Sequence, residues 1–307
     1  MMKSTLWKIL AIAIATPMLA LSYSPSADAQ TGASPLEEIL VLARRRGEAL
    51  QDVPVSITAF TSMDIDSAGI ESPRDFIALT PNVTIVEVQN VGNAFVTIRG
   101  ISQNRNTEPS VATLVDGVLM SNAGQFTQEL FDIEQIEVLR GPQGAVYGRN
   151  AIGGAILINT KAPSDELEGR GRAGWESGPG YKLQGTLSGP VGESDTLKFR
   201  AAVSYKDSDG YIDNDFLGTE ADPYKDFSGR VKLLYQPNDT FSADFRASFS
   251  NLEGGALYYQ IRSPLPDIGF GLPASLGRGN GDPNSVNDTS ELVRNNNQGI
   301  NDRDLVN

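Results

Sequence analysis

At 307 residues, with 38 acidic side chains against 25 basic ones, the chain has room for two ordinary domains and carries a net charge of −13. Such a surface repels nucleic acid and anionic lipid. Cysteine and histidine are both absent, which removes disulfides, the usual zinc and haem ligands, and Cys–His or Ser–His catalysis. No cofactor or metal site is expected, and an enzyme would have only carboxylate pairs to work with.

Lys3 and Lys8 flank a short n-region, Ile9 to Leu21 is almost wholly apolar, and Ala27-Asp28-Ala29 offers a small-residue cleavage pattern. Residues 1–29 therefore read as a secretory signal peptide, too short for an anchor. Its removal takes Lys3, Lys8 and Asp28 and moves the net charge from −13 to −14. Residues 30–47 form a flexible leader. Within it, Glu38-Ile39-Leu40-Val41-Leu42-Ala43 is a short extended run stopped by Arg44-Arg45-Arg46; on residues alone it could be an ordinary edge strand.

Residues 48–163 mix α and β. Val53 to Phe60 alternates like a half-buried strand. Ser72-Pro73-Arg74-Asp75 supplies an N-cap, a proline at the first helical position and an acid at the third, and Thr80-Pro81 closes the helix. Short strands are predicted around Val83–Val86, Val96–Ile98, Thr113–Val115, Ile136–Leu139 and Ala155–Thr160.

Residues 164–307 read as β only. Leu197, Phe199, Ala201, Val203 and Tyr205 alternate with Lys198, Arg200, Ala202 and Ser204. Phe227 to Tyr235, Phe241 to Phe249 and Tyr181 to Leu187 repeat the pattern, and Gly171, Ala173 and Trp175 give a weaker case. Period two puts each set on opposite faces of a sheet. Aromatic-edged apolar faces opposite charged ones fit a transmembrane barrel, although a soluble β-sandwich would look similar. Loop lengths favour the barrel: the turns at Gly189–Thr196 and Pro237–Thr240 are tight on one side, whereas Lys206–Asp226 and the stretch from Asn251 are long on the other.

The densest motif lies in Ile133–Thr160: a strand, a Gly141-Pro142 turn, a segment through Gly144, Tyr147 and Gly148, then Gly153-Gly154 opening a second strand. It has no G-x-x-x-x-G-K-[ST] and no G-x-G-x-x-G between strand and helix, so a phosphate cradle is set aside. Together with Thr97-Ile98-Arg99-Gly100 and Val115-Asp116-Gly117-Val118, this stretch resembles the plug-domain signature of TonB-dependent outer-membrane receptors, in the family's order over roughly residues 37–161.

The resemblance implies an α+β plug domain followed by the first antiparallel strands of a transmembrane β-barrel, 22-stranded when complete. It implies a receptor in the outer membrane of a Gram-negative cell that imports a ferric siderophore or similar nutrient. Residues 38–43 would be the TonB box, pairing as an added strand with a TonB-type energy-coupling protein in the periplasm. Arg99 and Arg140 would latch the plug to carboxylates on the inner barrel wall. The other expected partners are outer-membrane lipid and the nutrient, with no nucleic acid.

The loop Asp207–Asp215 invites a calcium reading, but its glycine falls fourth instead of sixth, and Gly218 stands where the bidentate glutamate belongs. A solvated outer loop is the expectation. Five candidate strands cannot close a barrel, and from Asn251 the chain reads as an outer loop to Asn307, so a fragment unable to transport alone is expected. Two alternatives stay open: a soluble periplasmic binding protein on a plug-like domain, and an exported carbohydrate-active enzyme using Asp213 and Asp215.

Overall fold

The computed structural model describes residues 39–41, 47–87, 92–103, 107–120, 126–176, 179–192, 194–214, 218–256, 292–293 and 299–306. The expected signal peptide, and Glu38, Leu42 and Ala43 of the expected coupling segment, lie outside the described residues. Strand β1 (Leu40–Val41) pairs antiparallel with β2 (Glu48–Ala49). Next come β3 (Ser56–Thr61), α1 (Ser62–Ala68), α2 (Pro73–Ala78), β4 (Val83–Glu87), β5 (Ala94–Ile98), β6 (Val111–Val115), β7 (Val118–Met120), β8 (Ile133–Arg140), α3 (Gly144–Tyr147) and β9 (Gly154–Thr160). The main plug sheet runs β3-β8-β9-β6-β7, with β6 and β9 parallel, and β4–β5 is a separate hairpin.

Local chemistry accounts for the ends of these elements. Strand β3 starts at Ser56 instead of Val53, since Pro54 has no N–H to give to the ladder. Helix α1, which the alternation up to Phe60 concealed, follows with no intervening turn. Thr61 Oγ1 accepts from Asp64 N at 3.3 Å, Asp64 Oδ2 accepts from Thr61 N at 2.9 Å, and Gly69 in the left-handed region (φ 65°) stops it. Helix α2 starts on Pro73 as its residues predict, with the Asp75 carboxylate accepting from Ser72 N at 2.7 Å.

Strands β8 and β9 are buried on both faces. Ile136, Val138, Ile156 and Ile158 pack with Phe60, Phe76, Val96 and Ile98 on one side. Leu139, Ala155 and Leu157 pack with Val41, Val53 and Tyr147 on the other. Full burial of an Ile or Leu stabilises by about 1.5–3 kcal/mol, so the sheet is held from both faces.

The wall consists of β10 (Glu168–Glu176), β11 (Gly180–Val191), β12 (Ser194–Ser208), β15 (Tyr224–Asn238), β16 (Phe241–Ala256) and β18 (Gly299–Val306), hydrogen-bonded in that order as one antiparallel sheet. A small hairpin, β13 (Asp213–Asn214) with β14 (Thr219–Glu220), sits in the long β12–β15 connection, and β17 (Leu292–Val293) lies parallel to β13. The expectation of a loop from Asn251 onward needs correcting: β16 continues to Ala256, and Gly299–Val306 pairs with it. Those eight residues lack clean alternation, so pattern reading passed over them.

The wall's register decides between barrel and sandwich. Tyr205 pairs with Phe227, Val203 with Gly229 and Ala201 with Val231. The apolar side faces outward: Trp175 is 78% exposed and Phe245 60%. Tyr181, Tyr205, Phe227 and Phe249 form a row with ring centroids 5.7, 6.4 and 5.3 Å apart, and Tyr235 and Phe241 pair at 6.3 Å toward the other end. The polar side, with Lys182, Ser188, Arg200, Ser204 and Lys232, is buried. A sandwich would bury the apolar face, and here the plug lies against the polar one, as in a barrel with a filled lumen.

Candidate functional site

The described part of the expected coupling segment, Ile39–Val41, is a docked strand. Leu50 N donates to Ile39 O at 2.9 Å, and Gln135 Nε2 reaches from β8 to Leu40 O at 2.9 Å. Val41 is fully buried in the second core cluster, while Leu40 is 57% exposed. One residue in this strand anchors it and its neighbour faces solvent.

Arg99 and Arg140 come together where β5 and β8 end. Arg99 has a positive φ of 51°, and its N donates to Asn82 O at 2.9 Å. Arg140 Nη1 donates to Pro81 O at 3.1 Å. Gly141 (φ 108°) lets Arg99 lie alongside, because a Cβ there would be 3.4 Å from Arg99 Nη1. Among the described residues no carboxylate pairs with either arginine. At Gly154 a Cβ would overlap the Leu139 carbonyl and sit 2.8 Å from Ile98 Cδ1, so this glycine permits β8 and β9 to close on β5. Pro142, Gly144, Tyr147, Gly148 and Gly153 form the turn and short helix α3 between those strands, with Gly141 N donating to Gly153 O at 2.9 Å.

Asp116 and Gly117 make the β6–β7 turn with φ of 48° and 85°. The Asp116 carboxylate accepts from Thr160 N at 2.9 Å and Thr160 Oγ1 at 2.6 Å, which ties the turn to the end of β9. It also faces the wall: Lys232 Nζ lies 3.2 Å away, and Arg246 Nη1 donates to Asp116 O at 2.8 Å.

Further plug–wall contacts involve residues that the motif reading did not single out. Lys182 Nζ is 2.7 Å from Glu129 and 3.1 Å from Glu71. Arg200 forks onto Asp132 at 2.7 and 2.6 Å. Arg170 and Arg172 reach Asp66 at 3.1 and 3.2 Å. The alternation marked these cations only as a wet face. Their partners lie in helices and loops remote in sequence, and nothing local announces them.

At the end of the wall that carries the long connection, a cleft of about 290 Å³ opens between plug and wall, lined by Arg74, Glu129, Glu176, Lys206, Tyr211 and Tyr224 among others. The connection is acidic. Asp222 Oδ1 accepts from Tyr211 N at 2.9 Å and Ile212 N at 2.8 Å. Burial, with Asp213, Asp222 and Asp209 close by, pushes the Glu220 carboxyl above its ordinary value. Among the described residues no group of three or more acidic side chains is placed to hold a metal ion.

Residues 49–155 match the TonB-dependent Receptor Plug Domain. The pesticin receptor of Yersinia pestis is 29% identical over 222 residues, which is 69% of this chain and 32% of that protein. The vitamin B12 transporter BtuB of Vibrio vulnificus is 28% identical over 244 residues, or 77% of this chain and 38% of that one. The crystal structure of the ferric yersiniabactin uptake receptor FyuA from Yersinia pestis superposes with a TM-score of 0.63 at 28% identity, covering 67% of this chain and 33% of that one. The chain thus spans about a third of the length of the relatives it matches, and these are receptors and transporters, not enzymes. A plug of this topology against a wall with its apolar face outward is what this chain shares with those TonB-dependent receptors, over the plug and the first strands.

Proposed function

We propose that the chain belongs to an outer-membrane receptor of a Gram-negative cell that imports a ferric siderophore, with energy delivered through residues 38–43 by a TonB-type protein in the periplasm. The observation that carries this reading is the docked strand Ile39–Val41, a short backbone ladder beside the plug core with Leu40 turned to solvent. A strand held by so few hydrogen bonds can exchange its partner for a strand of another protein, where backbone bonds provide affinity and alternate side chains register. Two of the relatives take up an iron chelate or a vitamin by name, which supports a scarce-nutrient ligand. In this reading the outward aromatic rows sit at the two lipid interfaces, residues 1–29 direct export and are cleaved, and Arg99 and Arg140 meet carboxylates of the barrel wall.

The test is Leu40→Pro in the intact receptor, which removes an N–H from the strand. Uptake and pairing with the coupling protein should be lost while ligand binding at the cell surface survives. Uptake at the parental rate would show that this segment is not the coupling strand.

A further inference from the structure

We infer that the plug is anchored to the wall by a latch of opposite polarity to the arginine pair, in which the plug segment Glu129–Asp132 is gripped by cations from three successive wall strands. From β11, Lys182 Nζ holds Glu129 at 2.7 Å, both side chains being about 5% exposed (5% and 6%). From β12, Lys206 Nζ approaches the other Glu129 oxygen at 3.7 Å, and Arg200 grips Asp132 with Nε to Oδ2 at 2.7 Å and Nη2 to Oδ1 at 2.6 Å. From β15, Arg230 Nη1 donates to Phe131 O at 3.3 Å with its guanidinium 4.8 Å from the Phe131 ring centroid. Leu130 and Phe131 are themselves buried.

Each grip suits an anchor better than an incidental contact. A parallel guanidinium–carboxylate fork fixes direction as well as distance. Lys182, buried in the lumen, makes its ion pairs with plug acids, Glu129 and Glu71, whereas Arg200 also pairs with Glu168 of the wall at 2.9 Å, so its fork onto Asp132 fixes position beyond what charge neutrality requires. Asp132 adopts φ 56°, a left-handed backbone that among side-chain-bearing residues aspartate and asparagine tolerate best, which suits an aspartate at this turn. The segment is tied into the plug at both ends: Leu130 N donates to Glu71 O at 2.9 Å, just before α2, and Lys161 N donates to Asp132 O at 3.0 Å, just after β9. Force applied at β1 therefore meets a two-residue strand first, while the Glu129–Asp132 anchor, the start of α2 and the end of β9 stay with the wall. This inference needs only the fold and is independent of which nutrient or coupling protein is involved.

The experiment is hydrogen exchange on the whole protein in outer-membrane vesicles, comparing the parent with Asp132→Asn, which keeps shape and removes charge, and with the swap Asp132→Arg/Arg200→Asp. The swap is made together with Glu168→Gln, because Arg200 also pairs with Glu168 at 2.9 Å and the moved carboxylate would otherwise face it. An anchor requires backbone exchange across residues 129–133 to rise at least tenfold in Asp132→Asn, with the Leu50 amide unchanged, so that local release is distinguished from general loosening. The swap should return exchange to within threefold of the parent. The inference is overturned if exchange in Asp132→Asn rises less than tenfold, or if an assembled swap stays more than threefold faster than the parent. Should the swap fail to assemble, Asp132→Asn decides alone.

Discussion

Lys232 of the wall and Asp116 of the plug share one buried contact, Nζ to Oδ1 at 3.2 Å with side chains 6% and 10% exposed. The same carboxylate closes the plug's own turn onto Thr160, and Lys232 Nζ also donates to Thr160 O at 2.8 Å. One acid therefore serves the plug's fold and its seating at once. Asp116→Asn keeps the shape of the turn but leaves Lys232 buried without counter-charge, at a predicted cost of about 3–5 kcal/mol. Adding Lys232→Met removes the stranded charge, and a buried pair replaced by an apolar side chain is close to neutral, so more than half of the loss should return. Denaturant midpoints of the protein in detergent micelles measure both; a double variant no better than Asp116→Asn alone would assign the loss to the turn.

The outward wall face makes a depth-dependent prediction. Val231 lies midway between the aromatics Phe227 and Tyr235 and is 42% exposed on that face. An arginine at the bilayer midplane of a barrel costs about 2–4 kcal/mol, against about 0–1 near an interface. Val231→Arg should therefore sharply reduce recovery of folded protein in the membrane fraction, while Tyr235→Arg leaves it nearly unchanged. Equal recovery of both would mean that lipid does not contact this face.

Most of the wall was legible because strict two-residue alternation is a local code. Alternation in Leu197–Tyr205 and Phe227–Tyr235 states which face each residue takes, and the observed register keeps Tyr205 opposite Phe227 on the expected side. The plug's strand cores were legible for a different reason, as short apolar runs punctuated by glycine and proline. What escaped was non-local or locally disguised. Helix α1 starts with no turn after β3, and its capping box uses Asp64 where a glutamate is the usual signal. Helix α3 hides in a glycine-rich run. The acids that seat the plug, Asp66, Glu71, Glu129 and Asp132, meet cations more than fifty residues away, a pairing that only the assembled lumen defines.

The acidic connection should respond to pH with a definite sign. Because the Glu220 carboxyl is raised in the folded loop, its contribution to stability is present below the ordinary glutamate value and lost as pH rises through the raised one. After correction for intrinsic rates, backbone exchange in the β13–β14 hairpin should be slower at about pH 4 than at about pH 7.5. Glu220→Gln should flatten that dependence. If the glutamine variant keeps the full pH response, another carboxylate of the loop is responsible.

The last prediction concerns what holds the N-terminal strand. Gln135 Nε2 to Leu40 O is a side-chain bond near the surface, so its net contribution is about 0.5–1.4 kcal/mol, roughly a two- to tenfold change in the docked-to-undocked ratio. Leu50 N, which donates to Ile39 O, reports on that equilibrium directly. In Gln135→Ala the Leu50 amide should exchange about two- to tenfold faster, whereas Asp116 N, bonded to Ile158 O inside the plug, should not change. If residues 38–43 couple to a periplasmic partner, docking competes with that binding, and the variant should bind the partner's isolated domain more tightly by the same factor. Faster Leu50 exchange without tighter binding would place the partner's contact outside the docked strand. Unchanged exchange would leave the burial of Val41, not Gln135, as the restraint.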